Sequence, residues 1–240
     1  MKIDFHSHIL PGIDDGSRSV EHSIEMLKLE AAQGIDHVVA TPHFYPSTDS
    51  PERFLRRRKN AELRLLDEME KHTGLPQFSV GAEVYYFHGM SESEILSDLT
   101  IGESRYLLLE MPTSKWSSRM FDEIEQIYCR QGITPVIAHL DRYIGAVGSG
   151  EVVDRLSRMP VLVQANANFL LGFWTRPRAL KMLRHNQIHL LGSDCHNTSS
   201  RPPNLGKAYK LVETRLGAEA LERMNARGAR ILFGESAKNK

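Results

Sequence analysis

Two cysteines among 240 residues, Cys129 and Cys195, leave no disulfide framework. No apolar stretch approaches the ~18 residues of a membrane span, so no membrane insertion is expected. The N-terminus lacks the basic-then-apolar pattern of a secretory signal, and a cytoplasmic setting is the expectation. Charge of one sign is also missing. Lys plus Arg and Asp plus Glu stand at 30 each, so no global field draws the chain to nucleic acid. No repeat, low-complexity tract or linker divides the sequence, and residues 1–240 read as a single domain. What the sequence has in quantity is histidine. There are 11, several of them placed where strands should end.

Strand and helix signals alternate from end to end. Strands are read at residues 2–5, 36–40, 78–83, 105–110, 134–138, 160–166 and 188–192. Val20, Ile24, Leu27 and Ala31 mark one helix face, stopped at Gly34. Ser50-Pro51-Glu52 starts a helix expected to run to about His72. Further helices are expected at 92–99, around Phe121, Ile124 and Ile127 up to Gly132, and at 151–158, 177–185, 205–216 and 218–226. Seven strands separated by helical segments predict an α/β fold with a parallel sheet, closed into a barrel.

In such barrels, functional side chains gather at the C-terminal ends of the strands. The first strand ends in His6-x-His8, whose alternation sends both rings to one face, and Asp14 and Asp15 follow. The later strands end at His43, Glu83, Glu110, His139 (then Asp141 and Arg142), Asn166 with Asn168, and Asp194 with His196, followed by Arg201. So many imidazoles and carboxylates on one rim would strand buried charge without cations. The mixed nitrogen and oxygen donors suit manganese, iron or zinc. They are too many for one tetrahedral ion, which implies two or three, with Glu83 able to bridge. His22 reads as a surface residue, and His37, His72, His88, His185 and His189 carry no assigned role.

His6-x-His8, Asp15, Thr41-Pro-His43, Gly81-Ala-Glu83, Glu110, Ala138-His139 and Ser193-Asp-x-His196 resemble the motifs of the PHP (polymerase and histidinol phosphatase) superfamily. The likeness covers almost the whole chain. It implies a distorted (β/α)7 barrel with its metal site at the C-terminal rim. His6-Ser-His-Ile-Leu-Pro-Gly-Ile-Asp-Asp-Gly16, His139-Leu-Asp-Arg142-Tyr and Gln164-Ala-Asn-Ala-Asn168 are similar to the bacterial PHP-type protein-tyrosine phosphatases of capsule and exopolysaccharide loci. Carried over residue by residue, the metal ligands implied are His6, His8, Asp15, His43, Glu83, Glu110, His139, Asp194 and His196. Arg142 and Arg201 match the arginines that grip phosphate, and Asp194 joins them as a catalytic residue.

The chemistry implied is hydrolysis of phosphotyrosine by a metal-activated hydroxide. Manganese is the ion favoured, with iron or zinc as alternatives. The partner implied is a phosphotyrosine protein, the C-terminal tail of a bacterial tyrosine kinase that controls capsule or exopolysaccharide synthesis. A homo-oligomer is left open. Two alternatives stand beside this reading: a PHP phosphatase of a small phosphomonoester such as histidinol phosphate, and a non-catalytic PHP regulatory module. Phe44, Tyr45, Tyr85, Tyr86, Phe87 and Tyr143 are candidates to flank a substrate ring.

Two features point elsewhere. Cys195 and Arg201 have the C-x5-R spacing of cysteine-dependent tyrosine phosphatases, but the segment lacks the glycines of a phosphate loop. Alternation should also turn Cys195 away from Asp194 and His196. The basic run Arg53, Arg56, Arg57, Arg58 and Lys59 reads as a solvated helix face, with docking of an acidic tail as the functional alternative.

Overall fold

The structure, a computed structural model, describes residues 1–146 and 149–234. Its strands are β1 (Ile3–Ser7), β2 (His37–Ala40), β3 (His43–Phe44), β4 (Gln77–Val80), β5 (Glu83–Tyr85), β6 (Tyr106–Glu110), β7 (Thr134–Ile137), β8 (Leu162–Asn166) and β9 (Leu190–Gly192). The helices are α1 (Val20–Ala32), α2 (Pro51–Met69), α3 (Ser118–Gln131), α4 (Leu140–Ala146), α5 (Ser149–Leu156), α6 (Ala167–Leu171), α7 (Arg176–Arg184), α8 (Leu205–Leu216) and α9 (Ala218–Phe233). Short 3-10 turns occupy Met90–Glu92 and Glu94–Leu99.

Every strand pair is parallel. One sheet runs β1-β2-β4 and the other β3-β5-β6-β7-β8-β9. The two belong to one curled ring. The amides of Gly81 and Glu83 donate to the carbonyls of Ala40 (2.9 Å) and Pro42 (3.0 Å), carrying the ladder across the break. At the other seam, Asp194 N donates to His6 O (2.8 Å) and His8 N to Cys195 O (2.9 Å). The expected seven-strand barrel is therefore present, and two of its strands are broken. Pro42 has no N–H to give the ladder, so the second strand divides into β2 and β3. The third divides at Gly81, where an added Cβ would lie 3.2 Å from Ile101 Cγ1.

Inside the ring, Ile3, Phe5, Val39, Leu108, Val136, Ala138 and Leu190 form a small apolar cluster, closed by Ile231 of α9. Gly228 lets α9 approach this closely, since a Cβ there would meet Phe5 Cε2 at 2.8 Å. The larger apolar cluster lies between the strands and the surrounding helices. Ser50 caps α2 as expected, accepting from Arg53 N at 3.3 Å, with Pro51 in the first turn. Gly132 ends α3 in the left-handed conformation, φ 62°.

Several boundaries differ from the sequence reading. α2 stops at Met69, before His72, and α9 runs on to Phe233, past Ala226. The expected helix at 151–158 lies at Ser149–Leu156, and the sixth strand begins at Leu162. α4 and α6 were not anticipated. At seven and five residues they are too short for a helical period to register.

Candidate metal centre

The first strand carries a register shift between Asp4 and Ser7. Asp4 Oδ1 accepts from His6 N at 3.0 Å, and the shift lets Phe5 join the apolar interior while His6 joins His8 among polar groups. The His6 and His8 Nε2 atoms stand 3.1 Å apart, both rings wholly buried. Around them the other strand ends deliver their side chains. Glu83 is the hub. Its Oε2 lies 3.1 Å from His6 Nε2, 3.3 Å from His8 Nε2 and 2.9 Å from His43 Nδ1, and its Oε1 lies 2.9 Å from His139 Nε2. Asp194 is a second hub, with Oδ1 at 3.4 Å from His8 Nε2 and 3.6 Å from His196 Nδ1. Asp15 Oδ1 lies 3.3 Å from His196 Nε2 and 3.6 Å from His43 Nε2.

The nine expected ligands thus meet in one cluster. They fall into overlapping groups able to hold a metal: His8, Asp15, His43 and His196; His6, His8 and Asp194; His6, Glu83 and His139; and His43, Glu83 and Glu110. Glu83 Oε1, Glu110 Oε2, His139 Nε2, Asp194 Oδ1 and His196 Nε2 are buried without a hydrogen bond. Orphaned donor atoms of opposite chemistry pointing at one another fit divalent cations. The chain also holds two of these strand ends under strain. His139 and Asp194 sit at φ 44° and 54°, a region that non-glycine residues rarely adopt.

Electrostatics inside the cluster are strongly coupled. Burial opposes ionisation of Glu83, but His6 and His139 outweigh it and hold its pKa well below the usual carboxylate range. Asp194 is likewise held low by His6 and His8 against its burial. Burial drives His139 and His196 down to about 4, so both rings stay neutral and able to ligate at neutral pH.

Arg142 and Arg201 bracket Asp194. Arg142 donates to Asp194 Oδ2 at 3.1 Å and to Glu110 Oε1 at 2.9 Å, and Arg201 Nη2 lies 2.8 Å from Asp194 Oδ1. Both guanidinium groups keep part of their surface open to solvent.

The sequence reading did not give roles to the groups that orient these ligands. Asp14 Oδ2 accepts from His8 Nδ1 at 2.7 Å and from His43 N at 3.1 Å. Gln164 Oε1 accepts from His139 N at 2.9 Å and lies 3.4 Å from His6 Nδ1. Asn166 Nδ2 donates to Asp194 Oδ2 at 3.0 Å. Such partners fix imidazole tautomer and carboxylate orientation. Asp14 was signalled by its place beside Asp15, and Gln164 by its place two residues before Asn166.

Of the aromatic candidates, Tyr45 and Tyr85 stand at the rim. Tyr45 stacks on His43 at 5.0 Å and packs on Tyr85 at 5.6 Å. Phe44 is buried against Phe54, Tyr86 donates to Glu123, and Tyr143 is buried with its hydroxyl accepting from Met111 N. Cys195 faces away from the cluster, as alternation predicts. It is fully buried, 3.9 Å from Glu30 Oε1, and burial with Glu30 and Asp4 nearby pushes its thiol pKa far up. That is the opposite of an activated nucleophile. Arg57 and Arg58 of the basic run tie α2 to loops, while Lys59 stays on its own helix face. Arg57 reaches Asp49 and the carbonyl of Ile13, Arg58 the carbonyls of Gly81 and Asp98, and Lys59 pairs with Glu62. His22 is half-buried rather than on the open surface, lining a cavity of about 310 Å³ with Asp15 and His196.

Comparison with known proteins places this arrangement. The family model described as capsular polysaccharide synthesis, CpsB/CapC, matches residues 2–233. CapC of Staphylococcus aureus is 31% identical over 243 residues, covering 97% of this chain and 92% of the relative. The tyrosine-protein phosphatase CpsB of Streptococcus agalactiae is 29% identical over 241 residues, covering 96% and 98%. A crystal structure from work on YwqE of Bacillus subtilis and CpsB of Streptococcus pneumoniae, described as metal-dependent tyrosine phosphatases, superposes with TM-score 0.81 at 24% identity over 97% of this chain and 94% of that one. A PTE-like lactonase from Deinococcus radiodurans shares the barrel more distantly, with TM-score 0.50 and 16% identity over 97% and 95%. The chain belongs to the CpsB/CapC family of capsular polysaccharide synthesis.

Proposed function

We propose that this chain is a metal-dependent protein-tyrosine phosphatase, a single domain acting in the cytoplasm on a phosphotyrosine protein. The observation that carries the proposal is the meeting of nine His, Asp and Glu side chains around Glu83 and Asp194, all but the exposed Asp15 buried or half-buried, with Arg142 and Arg201 beside them. His6, His8, Asp15, His43, Glu83, Glu110, His139, Asp194 and His196 would hold two or three divalent ions. The mixed donor set, five imidazoles and four carboxylates, suits manganese, iron or zinc, and the family context favours manganese. When bound, such ions lower the pKa of water and neutralise phosphoryl oxygens.

The chain's own groups do the rest. Arg142 and Arg201 present planar donors from either side of Asp194, suited to two oxygens of a phosphate. Asp194 and Glu110 hold those guanidinium groups in place. Tyr45 and Tyr85 wall the rim where the aromatic ring of a phosphotyrosine would lie. The leaving phenolate, with a pKa of about 10, needs little protonation. The kinase tail of a capsule or exopolysaccharide locus is the substrate that the family context favours.

The test is turnover of a phosphotyrosine peptide, a phosphoserine peptide and histidinol phosphate by the same preparation. Preference for the phosphotyrosine peptide is expected. Preference for histidinol phosphate would overturn the substrate, and no turnover of any of the three would return the chain to a regulatory module.

A further inference from the structure

Phe173 and Trp174 are 73% and 89% exposed, the most exposed large apolar side chains among the described residues. They are not on a loose tip. Thr175 Oγ1 donates to Phe169 O at 2.7 Å, and Arg176 donates to the carbonyls of Leu170 and Leu171 at 3.2 and 2.9 Å. These bonds pin the turn between α6 and α7, and the two aromatic rings meet edge to face at 5.0 Å. A turn built this firmly around two exposed aromatic rings marks a binding surface rather than a packing accident.

Trp174 forms one wall of a cavity of about 420 Å³, lined also by Asp141, Ile144, Asn168, Phe169 and Arg178. That is within the range of small-ligand pockets, about 300–1,000 Å³. It neighbours the metal centre through two short elements. α4 carries Asp141 into the cavity and Arg142 into the site, and Asn166, which holds Asp194, leads directly into α6, which carries Asn168 and Phe169. Asp141 Oδ1 accepts from Asn166 N at 3.1 Å, locking the two walls together.

Charge selects the occupant. α7 reads Arg-Pro-Arg-Ala-Leu-Lys-Met-Leu-Arg, with four cations and no acid. Arg178 and Lys181 are three residues apart on one exposed face, and neither forms an ion pair among the described residues. A cationic stripe thus leads away from a cavity whose apolar walls are Ile144, Phe169 and Trp174, and whose Asp141 immediately precedes Arg142 on α4.

Resting on the phosphatase reading, we propose that this cavity and stripe form a subsite for the peptide flanking the phosphotyrosine, with an apolar side chain against Trp174 and acidic residues along Arg178 and Lys181.

The experiment compares kinetics on p-nitrophenyl phosphate with kinetics on a phosphotyrosine peptide carrying Leu and Glu on both flanks. The enzymes are the metal-loaded wild type, Trp174→Ala and the double variant Arg178→Glu/Lys181→Glu. Both variants should raise KM for the peptide about tenfold, with kcat and p-nitrophenyl phosphate turnover unchanged. Unchanged peptide KM in both variants would overturn the subsite while leaving the phosphatase reading intact. A wild type that cleaves p-nitrophenyl phosphate but no phosphotyrosine would instead remove the reading on which the subsite rests. Trp116 is buried, so a ligand-induced change in tryptophan emission reports chiefly on Trp174. The peptide should shift that emission to the blue. A shift given by phosphatidylglycerol vesicles and not by the peptide would overturn the subsite in favour of a membrane-facing surface.

Discussion

Asp14→Asn keeps the size of a side chain and removes its charge at a contact that orients a proposed ligand. Asp14 Oδ2 accepts from His8 Nδ1 at 2.7 Å and from His43 N at 3.1 Å, while Oδ1 accepts from Gly16 N at 3.0 Å. Burial works against this carboxylate, yet His8 and the two amides bring its pKa down from 3.8 to about 2. In the metal-free protein that difference is worth roughly 2 kcal/mol of stability, present above pH 3.8 and lost as the pH falls through about 2. Asn has one accepting oxygen where Asp14 uses two, so its amide nitrogen must face either His8 Nδ1 or the Gly16 amide, and in both cases the ring loses the carboxylate that fixes its tautomer and orientation. Removing such a partner of a ligating imidazole costs about 10–100-fold in metal affinity, or about 1.4–2.7 kcal/mol. The assay is calorimetric titration of Mn2+ into chelator-stripped wild type and Asp14→Asn, followed by turnover of a phosphotyrosine peptide at saturating Mn2+. Affinity should fall by one to two orders of magnitude, with most of kcat recovered at saturation. Wild-type metal affinity in Asp14→Asn would refute the reasoning.

Other outcomes follow from the same geometry. Cys195→Ser should leave phosphotyrosine turnover within about twofold of wild type, whereas His139→Ala, at the Glu83 hub, should abolish it; steady-state kinetics on purified variants decide. Gly192→Ala would drive a Cβ to 2.5 Å from His6 Cβ and 2.8 Å from Gln164 Nε2. It should cost about 1–3 kcal/mol in denaturant unfolding and weaken metal binding by moving His6. His189 is held down to about 4 by burial and by Arg227, and its neutral Nδ1 accepts from Val163 N at 3.0 Å. The unfolded chain therefore takes up this proton first, so the stability from His189 is complete above pH 6.5 and lost as the pH falls toward 4. Allowing for partial solvation, the loss is about 1–2 kcal/mol, and His189→Gln should flatten the stability profile in that window.

The barrel was legible because each strand is a short apolar run ending at a chemically distinct residue, and Gly34, Gly74 and Gly132 punctuate the helices with positive φ. The meeting of the proposed ligands was legible for the same reason: strand ends are fixed in a βα barrel, so His43, Glu83, Glu110, His139 and Asp194 had to share a rim. The breaks at Pro42 and Gly81 were not read: the second strand reads only to Ala40, with His43 as its end, and Gly81 lies inside the run that reads as strand at 78–83. Asp14 and Gln164 went without roles because an orienting bond is a matter of side-chain direction, which spacing alone does not fix. The aromatic candidates scattered for a related reason. Tyr45 and Tyr143 both follow a strand end by a few residues, but only Tyr45 turns to the rim, while Tyr143 packs against Trp116. The Phe173–Trp174 turn carries no periodic signal at all, and its exposure is visible only in the fold.

The central claim is that the His, Asp and Glu cluster works by holding divalent metal. Metal content by elemental analysis, measured alongside phosphotyrosine-peptide turnover through stepwise chelation and Mn2+ restoration, tests it most directly. The account predicts two or three metal equivalents per chain, activity falling with them to baseline, and recovery on restoration. Full activity in protein stripped below a tenth of an equivalent would contradict it.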